Sequence, residues 1–298
     1  MKGCARSCLL WLGGWGAASY AFYLYFSTLG DLGDPLPWIS GGAGLCAMAV
    51  VAYFLGIVHA ARERTMLLDT MTGAPLEDGK WVAVSGRIHS MHKLHAPLSG
   101  ENVVAYTYKV WRMEGSGKSR SQVNHYEGKA LVPSTISGRS GSVRLLAVPT
   151  FDFPAEKLTP ERAIEKLHAH IAGSQFETPD TPKKLRATVE REWTDDDGNY
   201  RVDKRSSGAD AVPLEDCQFE ETHVKQNESV CAFGMYSQAR GGLVPHPNWS
   251  RQTRLMRGDA ETVAGQLRSR MIKYSVGIVA FGGIAFGIVR ACQIFAAR

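Results

Sequence analysis

Three long apolar runs constrain this chain more than any other feature, because only a bilayer or a large core can bury them. The second run, Leu36 to Ala61, has no formal charge before Arg62. At roughly 1.5 Å per residue it is long enough to cross a hydrocarbon core of about 30 Å. The first run, Leu9 to Phe26, is also uncharged, and a short link joins the two. The sequence therefore predicts a helical hairpin with spans at 9–26 and 36–61.

The first run has an alternative interpretation as a signal peptide, since Lys2 and Arg6 give it a positive start. Its aromatic residues and the immediate second run favour a span instead. The third run, Tyr274 to Val289, predicts a C-terminal membrane helix within 271–298. Gly283 and Gly287 form a GxxxG pair there, which permits close packing with a second copy of the chain. Small residues are also common in spans that pack against nothing.

Basic residues flank these runs asymmetrically. Lys and Arg precede the first run, follow the second and precede the third, whereas the hairpin link carries only Asp31 and Asp34. The positive-inside rule then places the N-terminus and the soluble part on the cytoplasmic side. The sequence thus predicts an N-terminal transmembrane hairpin at 1–65, a soluble domain at 66–270 and a C-terminal transmembrane helix at 271–298.

The soluble domain is predicted to be mainly β. Residues Trp81 to His89 and Val103 to Trp111 are rich in β-branched and aromatic side chains and predict two strands. Further strands are expected at 128–133, 142–148, 185–193, 200–204 and 229–233. Thr159 before Pro160 predicts a helix start, and Asp259 predicts another. The fold class is therefore a small barrel or a β-rich α+β domain attached to three transmembrane helices.

The order of these segments resembles a known family. The segments DTMTGAPLEDGKWVAVSGRI, LHAPLSGENVVAYTYKVWR and FEETHVKQNESVCAFGMYS precede GDAETVAGQL and a closing apolar run. This pattern is similar to the GIDE-type, or beside-a-membrane (BAM), domain of a mitochondrial membrane ubiquitin ligase and of many prokaryotic proteins. The resemblance spans Leu67 to about Leu267. Ala96 stands where the family often has Ser, and Asn227-Glu228 replaces its Gly-containing turn.

The resemblance implies a membrane-proximal, OB-like β domain used for binding or regulation, in a prokaryotic member located in the bacterial inner membrane. In the eukaryotic ligase a zinc-binding RING follows the last span. Here Cys292 is the only cysteine after Tyr274, so a four-coordinate zinc site is not expected there. Ubiquitin ligase activity is accordingly not expected of this chain.

Two features of the loop after the first strand invite a functional interpretation. His89, His92 and His95 recur every third residue and form a candidate metal site, although no carboxylate partner accompanies them. The loop itself is a candidate surface for a protein partner, and the residues expected to form it are Leu94, Pro97, Leu98, Ser99 and Gly100. The alternative is that Pro97 and Gly100 only turn the chain.

Other chemistry finds little support in the sequence. No GxSxG and no phosphate-binding glycine loop occurs, and the six cysteines show no zinc-finger spacing. The formal net charge of +5 forms no basic stripe of the kind that binds nucleic acid. We therefore expect an integral membrane scaffold or regulator of a membrane protein complex, with no cofactor. The alternatives are a metal-dependent membrane enzyme using the three histidines, or a lipid or small-molecule sensor.

Overall fold

The computed structural model describes residues 2–29, 34–177, 194, 198–206, 208–246 and 252–296. Its helices are α1 (Lys2–Ser27), α2 (Leu36–Thr72), α3 (Pro160–Gly173) and α4 (Ala260–Ala296). Its strands are β1 (Trp81–His89), β2 (Leu94–His95), β3 (Asn102–Glu114), β4 (Ser121–Leu131), β5 (Thr135–Gly138), β6 (Gly141–Leu145), β7 (Thr150–Phe151), β8 (Glu156–Leu158), β9 (Phe176–Glu177), β10 (Tyr200–Arg205), β11 (Gln218–Lys225), β12 (Ser229–Ser237), β13 (Gly242–Val244) and β14 (Arg254–Arg257). The chain divides into a helical unit, Met1–Thr65 with Ala264–Arg298, and a β-rich unit, Met66–Val263.

Glycines allow the helices of the helical unit to pack closely. A Cβ added at Gly44 on α2 would overlap Ser19 of α1, and one added at Gly56 would lie 2.9 Å from the Tyr274 ring of α4. Phe26 is fully buried beside Ala43 and Cys292, so all three helices contribute to one apolar cluster. The helical unit is therefore a three-helix arrangement with its own small core.

Two of these helices, not three, are long and apolar enough to cross a membrane: Leu36–Thr72 and Ala260–Ala296. Their apolar segments are largely unburied within the described chain, unlike the core helix of a soluble protein. The prediction of three membrane-spanning helices is therefore wrong for α1, which is not among the candidate spans. A helix does form over Leu9 to Phe26, but its tryptophans, tyrosines, glycines and serines dilute its apolar content.

The β-rich unit contains a closed five-stranded barrel. Its strands follow one another in the order β1, β5, β6, β13 and β12, and β12 pairs back onto β1. Val84, Ile88, Ile136 and Val230 lie in its core, each less than 2% exposed. This arrangement confirms the mainly β prediction.

A second sheet carries the strand order β8-β11-β3-β4-β10-β9, with β2 paired to β3. One face packs against α3, whose Leu167 is buried together with Tyr106, Tyr108 and Phe219. Strand β3 contributes to both cores, since Val104 belongs to the barrel cluster. The sequence did not anticipate this second layer, because period-2 alternation says which residues are buried but not against what.

Several predicted elements are confirmed. The first strand spans Trp81–His89 as expected, and α3 begins at Pro160 after Thr159. Asp259 caps α4, as its Oδ1 accepts a hydrogen bond from Thr262 N at 2.8 Å. The strand expected at 185–193 lies outside the described residues. Cys217 and Cys231 are free and buried.

Candidate functional site

The loop between β2 and β3 is a closed and tightly bonded turn. Ala96 N donates to Glu101 O and Gly100 N donates to Ala96 O, each at 2.9 Å. Gly100 takes a φ of 73°, in the left-handed region where glycine is favoured. Leu98 is fully buried in the core beneath α3. The loop is therefore held in one conformation from within.

A buried carboxylate from a distant strand fastens this loop. Glu221 on β11 is 1% exposed. Its Oε2 accepts a hydrogen bond from Leu98 N at 2.7 Å, and its Oε1 accepts one from Ser99 Oγ at 2.5 Å. Since an ionised carboxylate is costly to bury without donors, the loop supplies the groups that make this position tolerable. We call Leu98, Ser99 and Glu221 the loop latch.

Two further charged residues extend the latch along β11. His223 Nδ1 lies 3.3 Å from Glu221 Oε1, and His223 Nε2 lies 3.2 Å from Glu101 Oε2. Lys225 Nζ completes the row at 2.5 Å from the same Glu101 oxygen. Residues 221, 223 and 225 share one face of the strand because side chains alternate along it. Glu101 of the neighbouring strand end lies between His223 and Lys225, so the four charges in the order 221, 223, 101 and 225 alternate in sign when His223 is protonated.

This setting changes the protonation of two of its members. The Glu221 carboxylate 3.3 Å away raises the pKa of His223, opposing the effect of burial. The hydrogen bond from Lys225 lowers the pKa of Glu101. The arrangement can hold a proton on a buried imidazole between two carboxylates. The hydroxyl nearest to this imidazole in the latch, Ser99 Oγ, donates to Glu221.

A second buried polar cluster crosses the same sheet. Asp203 Oδ1 accepts hydrogen bonds from Tyr108 Oη at 3.0 Å and from His170 Nε2 at 3.1 Å, and Asp203 Oδ2 accepts one from Arg201 Nε at 3.0 Å. Burial alone would raise the pKa of Asp203, but these donors outweigh it and lower that pKa. Gly128 makes the cluster possible, because a Cβ there would come within 2.6 Å of Tyr108 Cε1.

The opposite face of this sheet carries a transverse row of alternating charges. Its members are directly paired across six neighbouring strands and are exposed or half-buried: Lys157, Glu220, Lys109, Glu127, Lys204 and Glu177. Lys204 Nζ lies 3.8 Å from Glu127 Oε1 within this row. Opposite charges on directly facing residues stabilise a sheet and fix its register. We call this row the charge ladder.

The three histidines of the sequence-derived metal hypothesis are not brought together. His89, His92 and His95 are all exposed, at the end of β1, in the following loop and at the end of β2. Within the part of the chain that the structure describes, no group of three or more His, Cys, Asp or Glu side chains could hold a metal ion. The metal-dependent enzyme therefore gains no support from geometry.

The five residues of the expected partner surface do lie in one loop, but they differ in access. Pro97 and Leu98 are buried, Leu94 and Ser99 are half-buried, and Gly100 is exposed. Met91, in the loop before β2, is 99% exposed.

Sequence reasoning missed the acidic and histidine side chains around this loop, namely Glu101, Glu221 and His223. The signal for the last two was the alternation Glu-Thr-His-Val-Lys at 221–225, which puts charges on the face of a strand that also carries Phe219.

In comparisons with known proteins, no protein-family model, no curated protein and no solved structure matches this chain.

Proposed function

We propose that the chain is an integral membrane protein whose β-rich unit is a membrane-proximal binding domain, acting as a scaffold or regulator of a membrane protein complex. The observation that carries the proposal is the attachment of that unit at both ends. Helix α2 ends at Thr72 and β1 begins at Trp81, while β14 ends at Arg257 and α4 begins at Ala260. Both flanking helices are candidate membrane spans, so short connections tether the domain beside the bilayer.

Hydrogen bonds join α1 to both candidate membrane spans. Trp15 Nε1 donates to Gly41 O at 3.1 Å, and Gln293 Nε2 donates to Tyr25 Oη at 2.8 Å. Such hydrogen bonds between helices suit a lipid environment, where polar groups find no water. We place the N-terminus and the β-rich unit in the cytoplasm of a bacterial cell, following the basic residues around the spans.

We further propose that the β-rich unit is a GIDE-type (BAM) domain with an OB-like barrel. The closed five-stranded barrel is compatible with that fold. The two stretches that carry the resemblance also meet in space, because Glu221 of the second accepts the hydrogen bond from Leu98 of the first. Asn227 takes a φ of 62°, a conformation that Asn tolerates and Gly prefers, so it can serve where the family has a glycine turn.

The latched loop is the surface that we propose for a partner. A rigid loop pays little ordering cost on binding, and the latch supplies that rigidity from beneath. The accessible groups are the exposed side chains around it, with Met91 at the tip before β2 and His95 where the latched loop starts. An exposed methionine is an adaptable contact for a protein partner.

A cross-linking experiment in native membranes tests this function. A photoreactive residue is placed at Met91 or at His95 in the full chain, and adducts are identified by mass spectrometry. The matched control carries the same residue at Arg120, which is exposed after β3, about 40 Å along that strand from the loop. We expect one recurrent protein from both loop positions and not from Arg120. Identical adducts at all three positions, or none from a folded and membrane-embedded chain, would contradict a partner surface here.

We also propose that two copies of the chain associate through Gly283 and Gly287. A Cβ added at either glycine would meet nothing within 4 Å, and both residues are exposed. Gly277, six residues before Gly283 on the same helix, is instead occupied by the Tyr53 ring at 2.9 Å. The GxxxG pair is thus left unused by the described part of this chain, as a pair reserved for a second copy would be.

A further inference from the structure

Five basic residues lie where the apolar stretches of the helical unit end. Arg62 and Arg64 follow the uncharged part of α2, and Arg268, Arg270 and Lys273 precede the apolar part of α4. In the sequence they are separated by about two hundred residues. Whether they form one surface depends on how the two helices pack.

The contacts between α2 and α4 align these residues. Tyr53 packs on Gly277 and Tyr274 packs on Gly56, with the two tyrosine rings 6.0 Å apart. The helices are therefore antiparallel, and each step forward on α2 matches one step back on α4. Continuing that alignment places Arg62 level with residue 268.

By the same alignment, Lys273 lies level with residue 57, only seven positions from Arg64. At roughly 1.5 Å of rise per residue, the five basic residues fall within a band about 10 Å tall. Helix α1 runs antiparallel to α2, since Met48 and Gly44 pack on Gly14 and Ser19. Its first turn therefore begins at the same end of the unit.

Few acidic residues lie in the helix segments that carry this band. Residues 264–298 contain no Asp or Glu, and Glu63 is the only acidic residue between 36 and 65. Glu63 is buried and its Oε1 lies 3.0 Å from His59 Nε2. Arg62, Arg268 and Lys273 are exposed, and no ion pair joins any of the three to another described residue.

We infer that this band, with Arg62, Arg268 and Lys273 as its exposed members, binds the anionic headgroups of phospholipids. The inference rests on the proposed membrane location. The exposed positive charges of Arg62, Arg268 and Lys273 directly border apolar helix surface, and they fit the headgroup layer in height and in sign. Guanidinium groups bind phosphate oxygens in a bidentate manner, and ammonium groups bind them as point charges. Each exposed basic residue near an anionic surface strengthens attachment about fivefold.

Lipid selectivity of the reconstituted full chain tests the inference. The chain is placed in phosphatidylcholine vesicles, and the association of spin-labelled phosphatidylglycerol is compared with that of spin-labelled phosphatidylcholine by electron paramagnetic resonance. We expect severalfold preference for phosphatidylglycerol, reduced in 1 M salt because the contacts are electrostatic. The variant R62Q/R268Q/K273Q is expected to show almost no preference.

The matched control removes three exposed arginines from the β-rich unit, as R87Q/R120Q/R162Q, and is expected to keep the wild-type preference. Equal association of the two lipids with the wild-type chain would overturn the inference, and so would an equal loss in the control. A wild-type preference that 1 M salt leaves unchanged would overturn it too, and this measurement stands even where the triple variant does not fold. A chain that does not enter vesicles at all overturns the membrane location, and this inference with it.

Discussion

Replacing Glu221 by Gln tests whether the buried carboxylate holds the loop. Glutamine has nearly the same shape, but only one of its two terminal atoms accepts hydrogen bonds. Leu98 N and Ser99 Oγ both donate to Glu221. A hydrogen bond to a charged acceptor contributes about 1.5–3 kcal/mol and a neutral one about 0.5–1.5 kcal/mol. Weakening two such bonds should cost about 1.5–3 kcal/mol of loop stability.

Hydrogen–deuterium exchange of the full chain measures this cost at the loop itself. This loss of free energy corresponds to roughly tenfold to hundredfold faster exchange of the Leu98 amide. The exchange rates of the amides in α3 should change little. Glu220→Gln is the matched control, since it removes the same charge from the neighbouring residue on the outer face of β11. Wild-type protection of Leu98 in Glu221→Gln would refute the latch, as would an equal effect of Glu220→Gln.

Glu221→Gln should also change how the stability of the loop depends on pH. Since the pKa of His223 is raised in the folded protein, chiefly by the neighbouring Glu221 carboxylate, its protonated form adds stability that is complete below the unfolded pKa of about 6.5. That contribution is lost as pH rises through the folded pKa. Loop protection, corrected for intrinsic exchange, should therefore fall in the wild-type chain as pH rises above the unfolded pKa of about 6.5 and through the higher folded pKa. Glu221→Gln should flatten this fall, and a parallel slope in both chains would contradict the coupling.

Three substitutions elsewhere in the chain test the remaining geometry. Gly128→Ala forces a methyl group against the Asp203 cluster and should destabilise the β-rich unit by about 1–3 kcal/mol, seen as a lower unfolding temperature. Gly173→Ala, where a Cβ meets nothing within 4 Å, should leave that temperature unchanged. Glu127→Lys places three like charges side by side in the charge ladder and should cost about 1 kcal/mol, an effect that high salt should reduce; a salt-independent loss would point to packing instead. Gly283→Leu should abolish cross-linking between two copies in membranes, whereas Gly282→Leu, equally unhindered within the chain, should not; equal behaviour of the two variants would remove Gly283 from the interface.

Local features of the fold were predictable because their causes are local. The alternation in Trp81–His89 and the Thr159-Pro160 start of α3 determine those elements within a few residues. The loop latch has no local cause. It joins Leu98 to Glu221 across 123 positions, and only the pairing of β3 with β11 brings them together. Glu220 and Glu221 are adjacent and chemically identical, so sequence alone could not say which one is buried.

The burial of Pro97 and Leu98 changes what the sequence signal in this loop means. Proline and leucine in a polar loop invite interpretation as exposed contacts, but here both side chains lie inward, and Leu98 anchors the loop to the core beneath α3. Substituting Leu98 by Ala should therefore lower stability by about 2–5 kcal/mol, as for other fully buried leucines, whatever the loop binds. A loss of partner binding in such a variant would not identify a contact residue. Only exposed positions such as Met91 and His95 separate recognition from folding, because their side chains can change while the latch beneath them stays intact.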